Sequence, residues 1–104
     1  TGKPLREFLY VDDLSDAIEF LLDKKLDKDL INVGSGTEIC ILDLANTIKE
    51  VVGYKGSLVF DKNKPDGNPR KLIDSSLINE IGWSAKTSLP EGIKKTYTWF
   101  TKNN

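Results

Sequence analysis

A mixed α/β domain is the fold class this sequence predicts, on three observations. Short stretches rich in aromatic and β-branched residues alternate with runs whose apolar residues recur at helical spacing. The connections between them are short. At 104 residues and 38% hydrophobic content, there is chain for one modest core and none for a second domain. The expected order is strand, helix, strand, helix, strand, loop, helix, helix, from which no strand order can be derived.

Arg6-Glu7-Phe8-Leu9-Tyr10-Val11 reads as a short extended segment ended by Asp12-Asp13. Asp13 suits an N-cap, and Leu14, Ala17, Ile18, Leu21 and Leu22 share one face, so a first helix is expected from Leu14 to Lys25. Leu30-Ile31-Asn32-Val33 reads as a strand running into the turn Gly34-Ser35-Gly36. That turn lacks a third glycine, Ile39 standing in its place, and so fails the dinucleotide fingerprint.

Cys40 occupies the N-cap slot of a second helix, with Asp43 at its third position and Gly53 as the left-handed stop. Its stripe of Ile41, Leu44, Ala45, Ile48, Val51 and Val52 assigns this helix to the core. A helix N-terminus can activate a thiol, but this chain offers Cys40 no base. Ser57-Leu58-Val59-Phe60-Asp61 reads as a third strand. A short helix follows, with Asp74, Ser75 or Ser76 as cap, Leu77, Ile78 and Ile81 buried, and Gly82 as terminator; Trp83 then plugs the core. Ser88-Leu89-Pro90-Glu91 is a capping box opening a last helix, with Ile93, Tyr97 and Phe100 on one face. Trp83, Tyr97 and Trp99 have core or interface packing and stacking on a base or sugar as alternative uses.

Composition narrows the function. Fifteen cations against sixteen acids, spread along the chain, give a net charge of -1 and no basic field for nucleic acid or an anionic membrane. No apolar run approaches the ~20 residues that span a bilayer, and a soluble, cytoplasmic protein is expected. One cysteine excludes an internal disulfide, and the absence of histidine removes the commonest metal ligand and general base, so no metal site is expected. The absence of methionine and the opening Thr1-Gly2-Lys3-Pro4, which reads as the middle of a turn, suggest a piece of a longer protein, although a tag or a processed start gives the same absence.

Chemistry concentrates in Lys62-Asn63-Lys64-Pro65-Asp66-Gly67-Asn68-Pro69-Arg70-Lys71. Two prolines and a Pro-Asp-Gly turn make it a loop, stiff enough to lose little freedom on binding. Four cations and one acid suit an anionic, hydroxyl-rich ligand; a solvated surface turn is the alternative. Only two of the fifteen cations are arginines, Arg6 and Arg70, each beside turn residues. The planar fork of arginine matches two phosphate oxygens, which suits a diphosphate. Structural ion pairs, for example Arg6 with Asp12 or Asp13, are the alternative.

The segments Arg6 to Leu14 and Ile31 to Gly36 resemble the carboxy-terminal part of the extended short-chain dehydrogenases that act on nucleotide sugars. The narrower segment Lys64-Pro65-Asp66-Gly67-Asn68-Pro69-Arg70-Lys71-Leu72, with Ile81-Gly82-Trp83 and Tyr97-Thr98-Trp99-Phe100, resembles the GDP-L-fucose synthase family. Together the matches cover nearly the whole chain. The resemblance implies an enzyme that epimerises GDP-4-keto-6-deoxy-mannose at two carbons and reduces the ketone with NADPH. It implies that residues 1–104 form a single substrate-binding domain, without the complete Rossmann domain and binding no cofactor. The cofactor loop, the serine, tyrosine and lysine of hydride chemistry, the cysteine and histidine of epimerisation, and a substrate-facing tryptophan would lie upstream.

By motif, Arg6 meets the diphosphate, Asp66 accepts from sugar or nucleotide hydroxyls, and Arg70 or Lys71 adds positive charge near the phosphates. Cys40 does not match the family's catalytic cysteine, and Asn68 stands where threonine is usual. The implied ligand is a GDP-sugar, bound by a catalytically silent portion of a homodimeric enzyme. Another nucleotide-sugar epimerase or dehydratase, and a non-enzymatic binding module, are the competing readings. A substrate domain by itself would expose the surface that packs on its partner, with dimerisation through that patch expected.

Overall fold

The computed structural model describes all 104 residues. Its organising strand is β1, Leu5–Glu7, which has a neighbour on each edge. On one edge it pairs antiparallel with β2, Glu38–Cys40, in the register Leu5 with Cys40, Arg6 with Ile39 and Glu7 with Glu38. On the other, the Leu5 N–H donates to the Pro69 carbonyl at 2.9 Å, and Leu5 forms a parallel bridge with Arg70. The end of the 62–71 loop is thus bridged to the free edge of a two-stranded sheet.

Four helices follow from local signals. The first, α1 (Val11–Leu22), begins three residues before its expected start, with Tyr10 as N-cap. Asp13 is therefore not the cap. It lies inside the first turn, buried, where its carboxylate accepts the Thr87 N–H at 2.9 Å and the Thr87 hydroxyl at 3.0 Å.

Helix α2 (Ile41–Val52) starts and stops where the sequence places it. The Cys40 Sγ accepts the Asp43 N–H at 3.4 Å, and Gly53 takes the left-handed conformation with φ 74°. Its first two N–H groups, on Ile41 and Leu42, donate to the carbonyls of Pro4 and Gly2. The opening segment of the chain thereby satisfies donors that every helix start leaves orphaned. No residue of α2 is fully buried, contrary to the expectation that this helix is core, because it packs on β2 and α4 and is open elsewhere.

Helix α3 (Ser76–Glu80) is held at its start by Asp74, whose Oδ1 accepts the Ser76 N–H at 3.0 Å. Helix α4 (Leu89–Asn103) opens on Ser88, whose hydroxyl accepts the Glu91 N–H, with Pro90 in the first turn. Gly92 lets α4 approach α1, since a Cβ there would stand 3.3 Å from Tyr10 Cβ.

Two expected strands are absent. Residues 30–33 and 57–61 have no ladder partner in this chain and remain irregular. Ile31 and Val33 instead pack against the core, and Val59 is 90% exposed between half-buried Leu58 and Phe60. The core itself is small: Ala17 of α1, Ile78 of α3 and Trp83, with Trp83 buried as expected. Trp99 is 65% exposed and takes no part in it.

The molecule is flattened, 50 × 35 × 19 Å, with a radius of gyration of 16.3 Å; an ordinary domain of about this length has ~13 Å. An open apolar stripe of Val11, Leu14, Ile18 and Leu22 runs along α1. No helix is long and apolar enough to cross a membrane.

Candidate functional site

The sheet brings Arg6 and the 62–71 loop together. Arg6 lies in the middle of β1, half-buried, and donates from Nη1 to its neighbour's Leu5 carbonyl at 2.6 Å. Its Nη2 lies 3.9 Å from where a Cβ on Gly67 would stand. Gly67 has φ 74°, a conformation glycine adopts without steric cost, but residues 65–68 form no hydrogen-bonded turn, contrary to the expected Pro-Asp-Gly turn. The turn of this loop lies at its start, where Asp61 Oδ1 accepts the Asn63 N–H at 2.9 Å and the Asp61 carbonyl accepts the Lys64 N–H. Two residues 61 apart in sequence therefore stand side by side because a single parallel bridge, Leu5 with Arg70, joins β1 to the loop end.

The two arginines differ. Arg6 forms no ion pair, and the contact with Asp12 or Asp13 weighed from the sequence is not made. Arg70 is committed. Its Nε and Nη2 donate to the two oxygens of Glu38 at 2.6 and 2.8 Å, which raises the guanidinium pKa further above its ordinary value. Lys71, next to it, is exposed and forms no ion pair, as is true of Lys62 and Lys64. Asp66 accepts the hydroxyl of Thr1. Arg6 thus stands against Gly67, while Asp66 is turned to Thr1 and Arg70 to β2.

Two acids that the sequence reading passed over organise this region. Glu7, opposite Glu38 on β1, accepts the Gly36 N–H at 2.7 Å and the Ile73 N–H at 3.2 Å. No local signal marks either one, since Glu7 follows Arg6 and Glu38 gains a strand only through its pairing with β1. Glu7 also decides the nature of the glycine turn. Its carboxylate occupies the Gly36 N–H, and a Cβ on Gly34 would meet both its oxygens at 2.8 Å. A pyrophosphate at this turn would face a carboxylate, so these residues do not fit a dinucleotide cofactor.

A separate groove of about 520 Å³ lies between Phe8, Glu38, Thr47, Lys86, Ser88 and Pro90. It contains neither Arg6 nor the loop's cations. No cluster of acids and cysteine is arranged to hold a metal ion.

No protein-family model matches the chain. Individual proteins do. The probable GDP-L-fucose synthase 1 of Oryza sativa is 56% identical across 99% of this chain. The GDP-L-fucose synthase of Escherichia coli is 44% identical, also across 99%. Among solved structures, a GDP-L-fucose synthetase from Naegleria fowleri superposes with a TM-score of 0.91 at 29% identity, over 98% of this chain and 32% of that one. A GDP-mannoheptose C4 reductase from Campylobacter jejuni, solved with NADP bound, gives 0.83 at 38% identity, over 97% of this chain and 33% of that one. The chain spans 31% and 35% of the length of the rice and E. coli relatives. The chain is the counterpart of the carboxy-terminal third of proteins named GDP-L-fucose synthase and has the fold of that part of the extended short-chain dehydrogenases.

Proposed function

We propose that this chain is the GDP-sugar-binding portion of a GDP-L-fucose synthase-like, NADPH-dependent 3,5-epimerase/4-reductase, and that it is catalytically silent by itself. The observation that carries this reading is the placement of an arginine without an acidic partner, Arg6, against Gly67 of the cationic loop. Two relatives, 56% and 44% identical across 99% of this chain, are named GDP-L-fucose synthases.

Each residue has a role that follows from its donors. Arg6 grips the diphosphate, because a guanidinium fork matches two phosphate oxygens. Lys71 adds a second positive charge near the same phosphates. Asp66, an acceptor of the Thr1 hydroxyl in this structure, accepts hydroxyls of the sugar or nucleoside when ligand is bound. Gly67 keeps the backbone low so that the ligand approaches Arg6. With no histidine, and with Cys40 used as a helix cap, the chain supplies no acid–base pair for epimerisation.

About two thirds of the relatives' length has no counterpart here. The reading assigns NADP(H) binding, hydride transfer and epimerisation to that portion, in a cytoplasmic homodimer. The open stripe Val11, Leu14, Ile18 and Leu22 is the surface it assigns to packing against the rest of the enzyme. Isothermal titration with GDP-mannose, with UDP-glucose as control, tests the reading. Binding selective for the GDP-sugar is expected, and equal binding of both would favour a UDP-sugar epimerase instead. A UDP-glucose 4-epimerase from Thermotoga maritima shares this fold at 31% identity and a TM-score of 0.84.

A further inference from the structure

We propose that Glu38 and Glu7 are positioning residues for the ligand loop, and that Arg70 serves as its anchor and not as a ligand contact. This rests on the GDP-sugar reading above. Glu7 and Glu38 are direct cross-strand partners, an arrangement that is destabilising for two like charges unless each has its own counterpart. Each does, and both counterparts come from the same four residues. Glu38 holds the Arg70 side chain through two hydrogen bonds, and Glu7 holds the Ile73 N–H. Between these fixed points lie only Lys71 and Leu72, both exposed.

The Arg70–Glu38 pair reaches across β1, from the Pro69–Arg70 segment on one edge to β2 on the other. Its acid is the fixed member, with 17% of the side chain exposed against 63% for the arginine. The Nε/Nη2 edge that would fork onto a phosphate is already spent on a carboxylate. The outcome is a loop whose carboxy-terminal end is pinned to the strand that carries Arg6, with Lys71 left as the presented cation. Loss of the pin would let Lys71 and Gly67 drift from Arg6 without removing any group that touches ligand.

The test uses the 104-residue chain with Glu38→Gln, Arg70→Ala, Lys71→Ala and the exchanged pair Glu38→Arg/Arg70→Glu. GDP affinity is read by titration, and loop order by amide hydrogen exchange at Leu5, which donates to Pro69, and at Ile73, which donates to Glu7. Glu38→Gln and Arg70→Ala should each weaken GDP by about fivefold and speed exchange at both amides, as expected for loss of a bidentate pair. Lys71→Ala should weaken GDP with exchange unchanged. The exchanged pair should restore both readouts to within about twofold of the parent, because it returns the pairing while removing the positive charge at position 70. An exchanged pair as weak as Arg70→Ala, with exchange restored, would place Arg70 on the ligand and overturn the proposal. Unchanged exchange in Glu38→Gln would overturn it independently. Absence of GDP binding by the parent chain would instead defeat the GDP-sugar reading, and the exchange data would still decide whether the anchor exists.

Discussion

The buried carboxylate of Asp13 receives both the N–H and the hydroxyl of Thr87, joining the first turn of α1 to the residue before the cap of α4. Removing the acid leaves a backbone donor without a partner. Asp13→Ala should therefore destabilise the chain by about 2 kcal/mol, the usual cost for charge-assisted bonds of this kind. Thr87→Val should cost less, since it spares the backbone N–H, and the double variant should fall short of the sum. Urea denaturation of the four proteins gives these values.

Gly34 and Gly36 should both resist replacement, for different reasons. A Cβ on Gly34 would stand 2.8 Å from the Glu7 carboxylate and from Ser75 Oγ. Gly34→Ala should cost roughly 1–3 kcal/mol through overpacking, and should also loosen the Gly36 and Ile73 bonds to Glu7. Gly36 has open space around it but φ 75°, so Gly36→Ala should cost about 1 kcal/mol from backbone strain alone. Paired melting curves, with the Ile73 amide shift as the local reporter, separate the two.

The two tryptophans should report two environments. Trp83 is 6% exposed in the core beside Ala17 and Ile78, whereas Trp99 is 65% exposed on α4. In Trp99→Phe, the remaining emission should be blue-shifted and poorly quenched by acrylamide. In Trp83→Phe it should be red-shifted and readily quenched. Trp83→Ala should cost about 3–5 kcal/mol, and Trp99→Ala should change stability by no more than about 0.5 kcal/mol.

Acid should weaken the start of α3. Hydrogen bonds from Ser76, the side-chain bond first and the backbone N–H second, hold the Asp74 carboxyl below its ordinary value of 3.8. A carboxyl depressed in the folded state contributes stability above its unfolded value and loses it as pH falls through the folded one. The contribution should be constant above about pH 5 and fade below 3.8. Asp74→Asn should flatten that part of the acid limb in stability measured against pH, whereas an unchanged limb would assign it to other acids.

Which of these features could be read from the sequence follows from the range of the forces involved. The Cys40 cap with its Gly53 stop and the Ser88 capping box were legible, because caps are decided within four or five residues. The strands at 30–33 and 57–61 were misread because strand character needs a partner, and this chain supplies none. β2 was hidden for the converse reason: Glu38–Cys40 becomes a strand only because Leu5–Glu7 lies beside it. The site divided in the same way. Residue type alone pointed to Arg6 and Arg70 as candidates, whereas Asp66 and Lys71 were singled out by the family resemblance. That Arg70 is tied to Glu38 while Arg6 has no acidic partner depends on contacts between residues 32 apart, which local pattern does not encode.

The claim that Arg6 and the 62–71 loop converge on one ligand is tested most directly by titrating the ¹⁵N-labelled chain with GDP and following amide and guanidinium resonances. The account predicts that resonances of Leu5, Arg6 and Glu7 shift together with those of Asp66, Gly67 and Lys71, along one saturation curve, and that Arg6→Ala abolishes both sets of shifts. Saturable shifts confined to Lys86, Thr87 and Ser88 in the separate groove, or undiminished loop shifts in Arg6→Ala, would contradict it.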